Sequence, residues 1–153
     1  MRTRTAVALA AAGVLAGVIT AAAQQAAPDP AAAIAAGKTA FEASCKLCHS
    51  LDKPLAAVKT AAEWESTVAR MVKNGAKVDA AQQAQIVAYL AAKSTFGTKC
   101  SACHGTDRPL GKNKSAADWL STVQRMAGKK PGHLTDADIA AVAAYLAVER
   151  PAK

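Results

Sequence analysis

Two short runs in this sequence have residue types and spacing suited to chemistry: Cys45-Lys46-Leu47-Cys48-His49 and Cys100-Ser101-Ala102-Cys103-His104. Each reads Cys-x-x-Cys-His, and the second stands 55 residues after the first. Two thiols on one helical turn are spaced to form thioethers with the two vinyl groups of a haem, and the adjoining imidazole then lies under the iron as its proximal ligand. Cys45, Cys48 and His49 would hold one haem, and Cys100, Cys103 and His104 a second. A thioredoxin-like dithiol uses Cys-x-x-Cys but needs neither the His nor this context, since it sits near a βαβ pattern that the chain lacks. A zinc site of Cys and His ligands calls for a wider gap between cysteine and histidine.

The elements that position these motifs are duplicated. Residues 41–71 align without gaps on residues 96–126, and 16 of the 31 positions are identical. They include Phe41/Phe96, Pro54/Pro109, Lys59/Lys114, Trp64/Trp119, Val68/Val123, Arg70/Arg125 and Met71/Met126. One extra residue then enters, and Tyr89-Leu90 recurs as Tyr145-Leu146. Self-similarity of this kind marks a tandem pair of one short unit.

The Ala-rich composition without alternating apolar runs predicts an all-α chain. A first helix is expected over Ala31 to Ser44, a polar loop after His49, and a helix opened by the capping box Thr60-Ala61-Ala62-Glu63, with Ser115-Ala116-Ala117-Asp118 as its partner. Each of these two helices carries Trp, Val and Met at i, i+4 and i+7, one continuous stripe. Asn74-Gly75 ends the first; Gly128 and Pro131 end the second. Final helices are expected from about Ala80 to Lys93 and from Asp136 to Val148, the latter started by Thr135-x-x-Asp138. Because Ala92-Lys93 aligns with Gly37-Lys38, the last helix of the first unit doubles as the first helix of the second or runs into it. Gly97 is a candidate kink at that junction.

The domain reading is therefore a signal peptide over 1–23, a flexible lead over 24–36 into the first helix, and units over 37–93 and 94–153. Arg2 and Arg4 followed by an uncharged run to Ala23 give the first two regions of an export signal, and Ala21-Ala22-Ala23 the small residues before a cut at Gln24. An uncleaved anchor is the alternative, since the run approaches the ~18 apolar residues that can cross a bilayer. After cleavage no stable membrane span is expected, and the chain is placed in the periplasm. Without Arg2 and Arg4 the sequence holds 17 basic and 11 acidic residues, a net charge of +6. With scattered basic positions and only 4% aromatic residues, a nucleic-acid surface is a poor explanation of that charge.

With these motifs in place, the sequence resembles the class I c-type cytochromes, and among them the compact dihaem members. The likeness covers Gly37 to the C-terminus and rests on the aromatic four residues before each motif (Phe41, Phe96), the following proline (Pro54, Pro109) and the aromatic of each last helix (Tyr89, Tyr145). Trp64 to Met71 and Trp119 to Met126 look like segments of the dihaem domains of quinohaemoprotein amine dehydrogenases and of small cytochrome partners of periplasmic dehydrogenases. The resemblance implies two covalently bound haem c groups. It also implies that the segments at Pro54 and Pro109 offer a backbone carbonyl to His49 and His104. One departure is plain: ordinary members bring an axial Met from a long loop before the last helix, whereas residues 74–79 form a short loop without Met.

Beyond the expected signal peptide the only methionines are Met71 and Met126, and the only histidine besides the motif pair is His133. Both methionines follow their motif His by 22 residues on the Trp/Val stripe. His49 with Met71 and His104 with Met126 are the expected iron ligands, a pairing that raises the reduction potential. Gap-filling in the core is the ordinary alternative use of such a Met. For the second haem His133 is the alternative distal ligand, because Gly132-His133 falls in the loop where the family's distal ligand arrives. Arg70 and Arg125 are candidates to pair with haem propionates.

The expected role is electron transfer without catalysis, as a relay between a periplasmic dehydrogenase and an oxidase, another cytochrome or a further redox partner. No nucleophile triad or second-cofactor fingerprint accompanies the motifs. The alternative is a small haem enzyme of peroxidase type, or a sensor, with one open iron position.

Overall fold

The computed structural model describes residues 29–153. Among these the chain is all-α, with a single isolated bridge between Lys114 and Pro151. Seven helices follow in order: α1 (Pro30–Cys45), α2 (Asp52–Ala56), α3 (Ala61–Lys73), α4 (Ala80–Ser101), α5 (Asp107–Leu110), α6 (Ala116–Ala127) and α7 (Asp136–Glu149). The signal peptide expected over 1–23 and residues 24–28 of the lead lie outside the described residues. The remainder of that lead is helical from Pro30 onward, and Ile34 within it is buried in the core.

Local chemistry accounts for where the helices start. Asp29 caps α1 by accepting from the Ala31 N–H at 3.0 Å, with Pro30 in the first turn, where its missing N–H costs nothing. Thr60 with Glu63, and Thr135 with Asp138, form reciprocal capping boxes on α3 and α7. Ser115 makes only half of one: its hydroxyl accepts from the Asp118 N–H and donates to the Asp118 carboxylate, which never reaches the Ser115 backbone. A further box, Asp79 with Gln82, opens α4. The α3 end relies on Gly75, whose φ of +104° is open to glycine at little cost.

One feature differs from the sequence expectation and a second completes it. The polar stretch after each motif contains a short helix, α2 or α5, because Pro54 and Pro109 are compatible with the first turns of a helix. Helix α4, 22 residues in all, passes the expected end at Lys93 and is unbroken through Gly97 to Ser101, so that it runs straight into the second unit as the repeat alignment implied. At about 1.5 Å per residue it is roughly 33 Å long.

Helix α4 is the axis of the molecule. Helices α1 and α7 pack on it and on each other, α3 lies on α4, and α6 lies on α7. The core joins Ile34 and Phe41 of α1 to Ile86, Tyr89, Leu90 and Phe96 of α4 and Val142, Tyr145 and Leu146 of α7, with Trp64 and Trp119 sealing the two flanks. Helices α1 and α4 approach most closely at Gly37, where an added Cβ would stand 2.0 Å from the Gln85 carbonyl oxygen. That neighbour is helical backbone and has no rotamer with which to move aside. Gly37→Ala must therefore part the two helices, and we expect a loss of about 1–3 kcal/mol, read as a lowered midpoint in chemical denaturation followed by far-ultraviolet circular dichroism.

Candidate functional site

The C-terminal turn of α1 delivers the first motif. Phe41 and Cys45 sit one turn apart on the same face, and the chain leaves the helix so that His49 follows at its end. Cys45, His49 and Met71 all line one cavity of about 530 Å³, between the α1 end, the α2 segment, α3 and α4. This lies within the range of small-molecule and cofactor sites, roughly 300–1,000 Å³. Its walls are Phe41, Trp64, Val68, Val78, Ile86 and Leu90 among others, while Lys53, Lys59 and Arg70 supply cations and no carboxylate lines it. The Trp/Val/Met stripe of α3 thus faces the cavity, and Arg70 also lines it.

The imidazole is held in one tautomer. His49 Nδ1 lies 2.9 Å from the Ser50 carbonyl oxygen, which can only accept, so Nδ1 carries the proton and Nε2 keeps a free lone pair. His104 repeats this with Gly105, at 3.0 Å. A carbonyl was expected from the segments at Pro54 and Pro109; it comes instead from the residue after each histidine. Pro54 stands on the cavity wall.

The thiols do not resemble a redox-active pair. All four cysteines are free, Cys48 and Cys103 being exposed. Burial pushes the Cys45 and Cys100 thiols up, and the neighbouring Cys48 and Cys103 add to the effect. A catalytic dithiol requires the opposite shift, toward a stable thiolate.

The second motif follows from the C-terminal turn of α4. Phe96 is buried, Cys100 is half-buried against the core, and His104 is partly buried. Met126 is partly buried in the last turn of α6, below Trp119 and Val123 on the inward stripe. His133 is engaged elsewhere: its Nε2 lies 2.9 Å from the Lys99 carbonyl oxygen, while Lys99 Nζ donates to the His133 carbonyl at 3.0 Å. This reciprocal clasp ties the loop before α7 to the end of α4 and leaves only Nδ1 of His133 for another partner. Arg125 is exposed.

The two flanks are braced by the same contacts except at one point. Lys59 Nζ lies 5.2 Å from the centre of the Trp64 ring and donates to Thr67 Oγ1 at 2.7 Å; Lys114 does the same over Trp119 with Thr122. In the first flank the buried Ser94 hydroxyl of α4 accepts from Trp64 Nε1 at 3.1 Å and from the Lys59 N–H at 3.3 Å, and donates to the Leu90 carbonyl. In the second, α7 has ended and the Arg150 carbonyl takes both bonds, from Trp119 Nε1 at 2.9 Å and from the Lys114 N–H at 3.2 Å. Sequence reasoning did not find Ser94, although the repeat alignment sets it opposite Arg150. Nor did it find Lys93, whose ammonium binds the Leu55 and Ala57 carbonyls and so ties the α2 segment, one wall of the cavity, to α4. Burial pushes the Lys93 ammonium down from its usual range.

Residues 87–146 match the family model for cytochrome c oxidase, cbb3-type, subunit III. The matched stretch runs from the middle of α4 into α7 and contains Cys100, Cys103, His104, Met126 and His133. It supports a c-type cytochrome, a class of electron carrier rather than enzyme, with covalently bound haem. No curated protein and no solved structure matches the chain.

The residues present fit such a group. A flat, largely apolar macrocycle needs apolar walls, a thiol and an unprotonated imidazole nitrogen on one side, and cations for its carboxylates at the rim. The first cavity supplies each of these. Among the described residues no helix is long and apolar enough to cross a membrane.

The bracing contrast yields a test. Ser94→Ala strands the Trp64 indole N–H and the Lys59 amide in a buried setting, at about 1–3 kcal/mol. Arg150→Ala keeps the carbonyl that serves Trp119 and should cost less than half as much; urea denaturation of both variants measures the difference.

Proposed function

We propose that the chain is a dihaem c-type cytochrome: two tandem units sharing α4, exported through a signal peptide cut near Ala23, and working in the periplasm as an electron relay between a dehydrogenase and a downstream acceptor. The observation that carries this reading is the recurrence of the whole constellation. Motif, tautomer-fixing carbonyl, Trp/Val/Met stripe and lysine-capped Trp occur in both halves, and in the first half they surround a cavity of cofactor size.

In this reading Cys45 and Cys48 hold one haem and Cys100 and Cys103 the other. His49 and His104 would present Nε2 to the irons, which when bound would supply one-electron ferric/ferrous chemistry. Met71 is the distal ligand of the first site and Met126 that of the second, with His133 as the alternative there. The engagement of His133 Nε2 with the Lys99 carbonyl supports Met126, since an imidazole already donating to backbone must use its other nitrogen or give up that bond. Arg70 lines the cavity, which supports its pairing with a propionate. The apolar walls would limit water at a bound metal, which would favour the reduced, less charged state.

Protein made in a host with the maturation machinery should carry a mass gain of two haems that survives acid and acetone, and Cys45→Ala with Cys48→Ala should remove one of them. A gain of one haem or none in the unaltered chain overturns the reading. Met71→Ala and Met126→Ala should each abolish part of the long-wavelength absorption band of methionine-ligated ferric haem and lower one reduction potential. If His133→Ala has that effect and Met126→Ala does not, the second ligand is His133.

A further inference from the structure

The shared helix half-buries a charge for which the repeat supplies no carboxylate. In α1, Lys38 pairs with Glu42 four residues on and approaches Glu149 at 3.6 Å. The same spacing in α4, 55 residues further along, sets Lys93 against Gly97. Glycine has no side chain to offer, and among the described residues the ion pairs are those of Lys38 alone. The Lys93 ammonium takes acceptors of another kind: the Leu55 carbonyl and, at 3.5 Å, the Ala57 carbonyl. Both belong to the C-terminal end of α2, where a helix leaves carbonyls over. Carbonyls orient a charge without cancelling it.

The place of this charge matters because α2 is a wall of the first cavity. Lys53, Pro54 and Ala57 line it on that side, and Leu90, three residues before Lys93 on α4, lines it on another. Lys93 is half-buried, so part of its field runs through protein rather than water. An iron centre carries one more positive charge oxidised than reduced, and a cation behind its wall disfavours the oxidised form. The second half has no equivalent. Lys53, Lys59 and Arg70 recur there as Arg108, Lys114 and Arg125, whereas the position matching Lys93 at the end of α7 is Glu149, held by Tyr89 and Lys38. The Lys112 carbonyl, counterpart of that of Ala57, is met by the Arg150 guanidinium through a solvent-exposed bond, where water screens the charge.

We propose that Lys93 tunes the first site: acting from behind the α2 wall, its charge raises the reduction potential of that site relative to the second. The assignment rests on the dihaem reading above and adds what makes the two sites unequal.

Redox titration of the holoprotein, followed by visible absorption, tests it in variants with Lys93 replaced. Lys93→Gln should lower one of the two potentials by roughly a fivefold change in the reduced-to-oxidised ratio, or ~40 mV for one electron, the size of a unit charge partly screened by water. Lys93→Glu should lower the same potential about twice as far, and Lys93→Arg should leave it in place. With Cys45→Ala and Cys48→Ala already present, Lys93→Gln should move the remaining potential by less than half as much. Unmoved potentials in Lys93→Gln overturn the inference. So do equal shifts from Lys93→Gln and Lys93→Glu, which mark a purely structural clamp, a loss in Lys93→Arg that matches Lys93→Gln, or an undiminished shift at the second site. Where Lys93→Glu fails to take up haem, the comparison of Lys93→Arg with Lys93→Gln decides alone. Haem content is measured by mass throughout: an unaltered chain without two haems defeats the cytochrome reading, whereas two haems with unmoved potentials defeat only the assignment of Lys93.

Discussion

Everything in this fold is arranged around α4 carrying two rings on one side. Tyr89 and Phe96 are seven residues apart, two turns of helix, and therefore project from the same face. Phe41 from α1 meets Tyr89 with ring centres 5.8 Å apart, Tyr145 from α7 meets Phe96 at 5.4 Å, and the two tyrosines meet each other at 6.0 Å. The four rings form one tilted series through the centre of the molecule, in the separation range where aromatic pairs attract beyond their buried area. Phe41 and Phe96 each stand four residues before a motif, so the same contacts that close the core also fix where both motifs leave their helices. A break in α4 between Tyr89 and Phe96 would part the ring that meets Phe41 from the ring that meets Tyr145. Its continuity makes the halves a single packing unit.

Burying Tyr89 brings a polar obligation, and it is met at the same junction. Tyr89 donates to Glu149 Oε1 at 3.2 Å, and Lys38 of α1 approaches that carboxylate at 3.6 Å while also pairing with Glu42. Desolvation is the main reason the Tyr89 hydroxyl is pushed far up, with Glu149 next, and the same two causes raise Tyr145 to about 12. Both phenols stay protonated across any physiological pH. The cluster joins α1, α4 and α7 by charge-assisted contacts where the helices also share their rings. Glu149 aligns with Lys93 in the repeat. One position thus carries opposite charges according to what lies beside it: carbonyls of the α2 segment in the first half, a phenol and an ammonium in the second.

Much of this was legible in the sequence where signals are local and periodic. The motifs, the caps at Thr60 and Thr135, the Trp/Val/Met stripe and the aromatic positions are set by spacing within a few turns, and spacing survives as pattern. What escaped depends on groups far apart in sequence. Ser94 is an ordinary mid-helix serine until an indole 30 residues upstream turns toward it. The run of α4 into the second unit was legible from the alignment of Ala92-Lys93 with Gly37-Lys38; the break allowed for at Gly97 is absent, where α1 and α7 pack on the helix. The carbonyl opposite each imidazole was expected from the proline segments by resemblance, and the backbone after each histidine supplies it with a bond too short in range to need them.

The repeat also shows how a duplicated unit ends. The first half can rely on α4 continuing, and so places a side-chain hydroxyl inside the helix to receive the indole and the loop amide. The second half has no helix to continue. Helix α7 stops at Glu149, Arg150 turns to φ −137°, and its freed carbonyl takes the place of the hydroxyl. The Arg150 guanidinium then bonds the Asn113 side chain and the Lys112 carbonyl, and Asn113 bonds the Pro151 carbonyl, so that the segment after α7 is fastened over the loop it serves. The same two donors are satisfied by different atoms, which is what matters energetically for buried N–H groups. Polar Asn113 is needed for that fastening. Its counterpart Val58 makes no such bond and stands exposed.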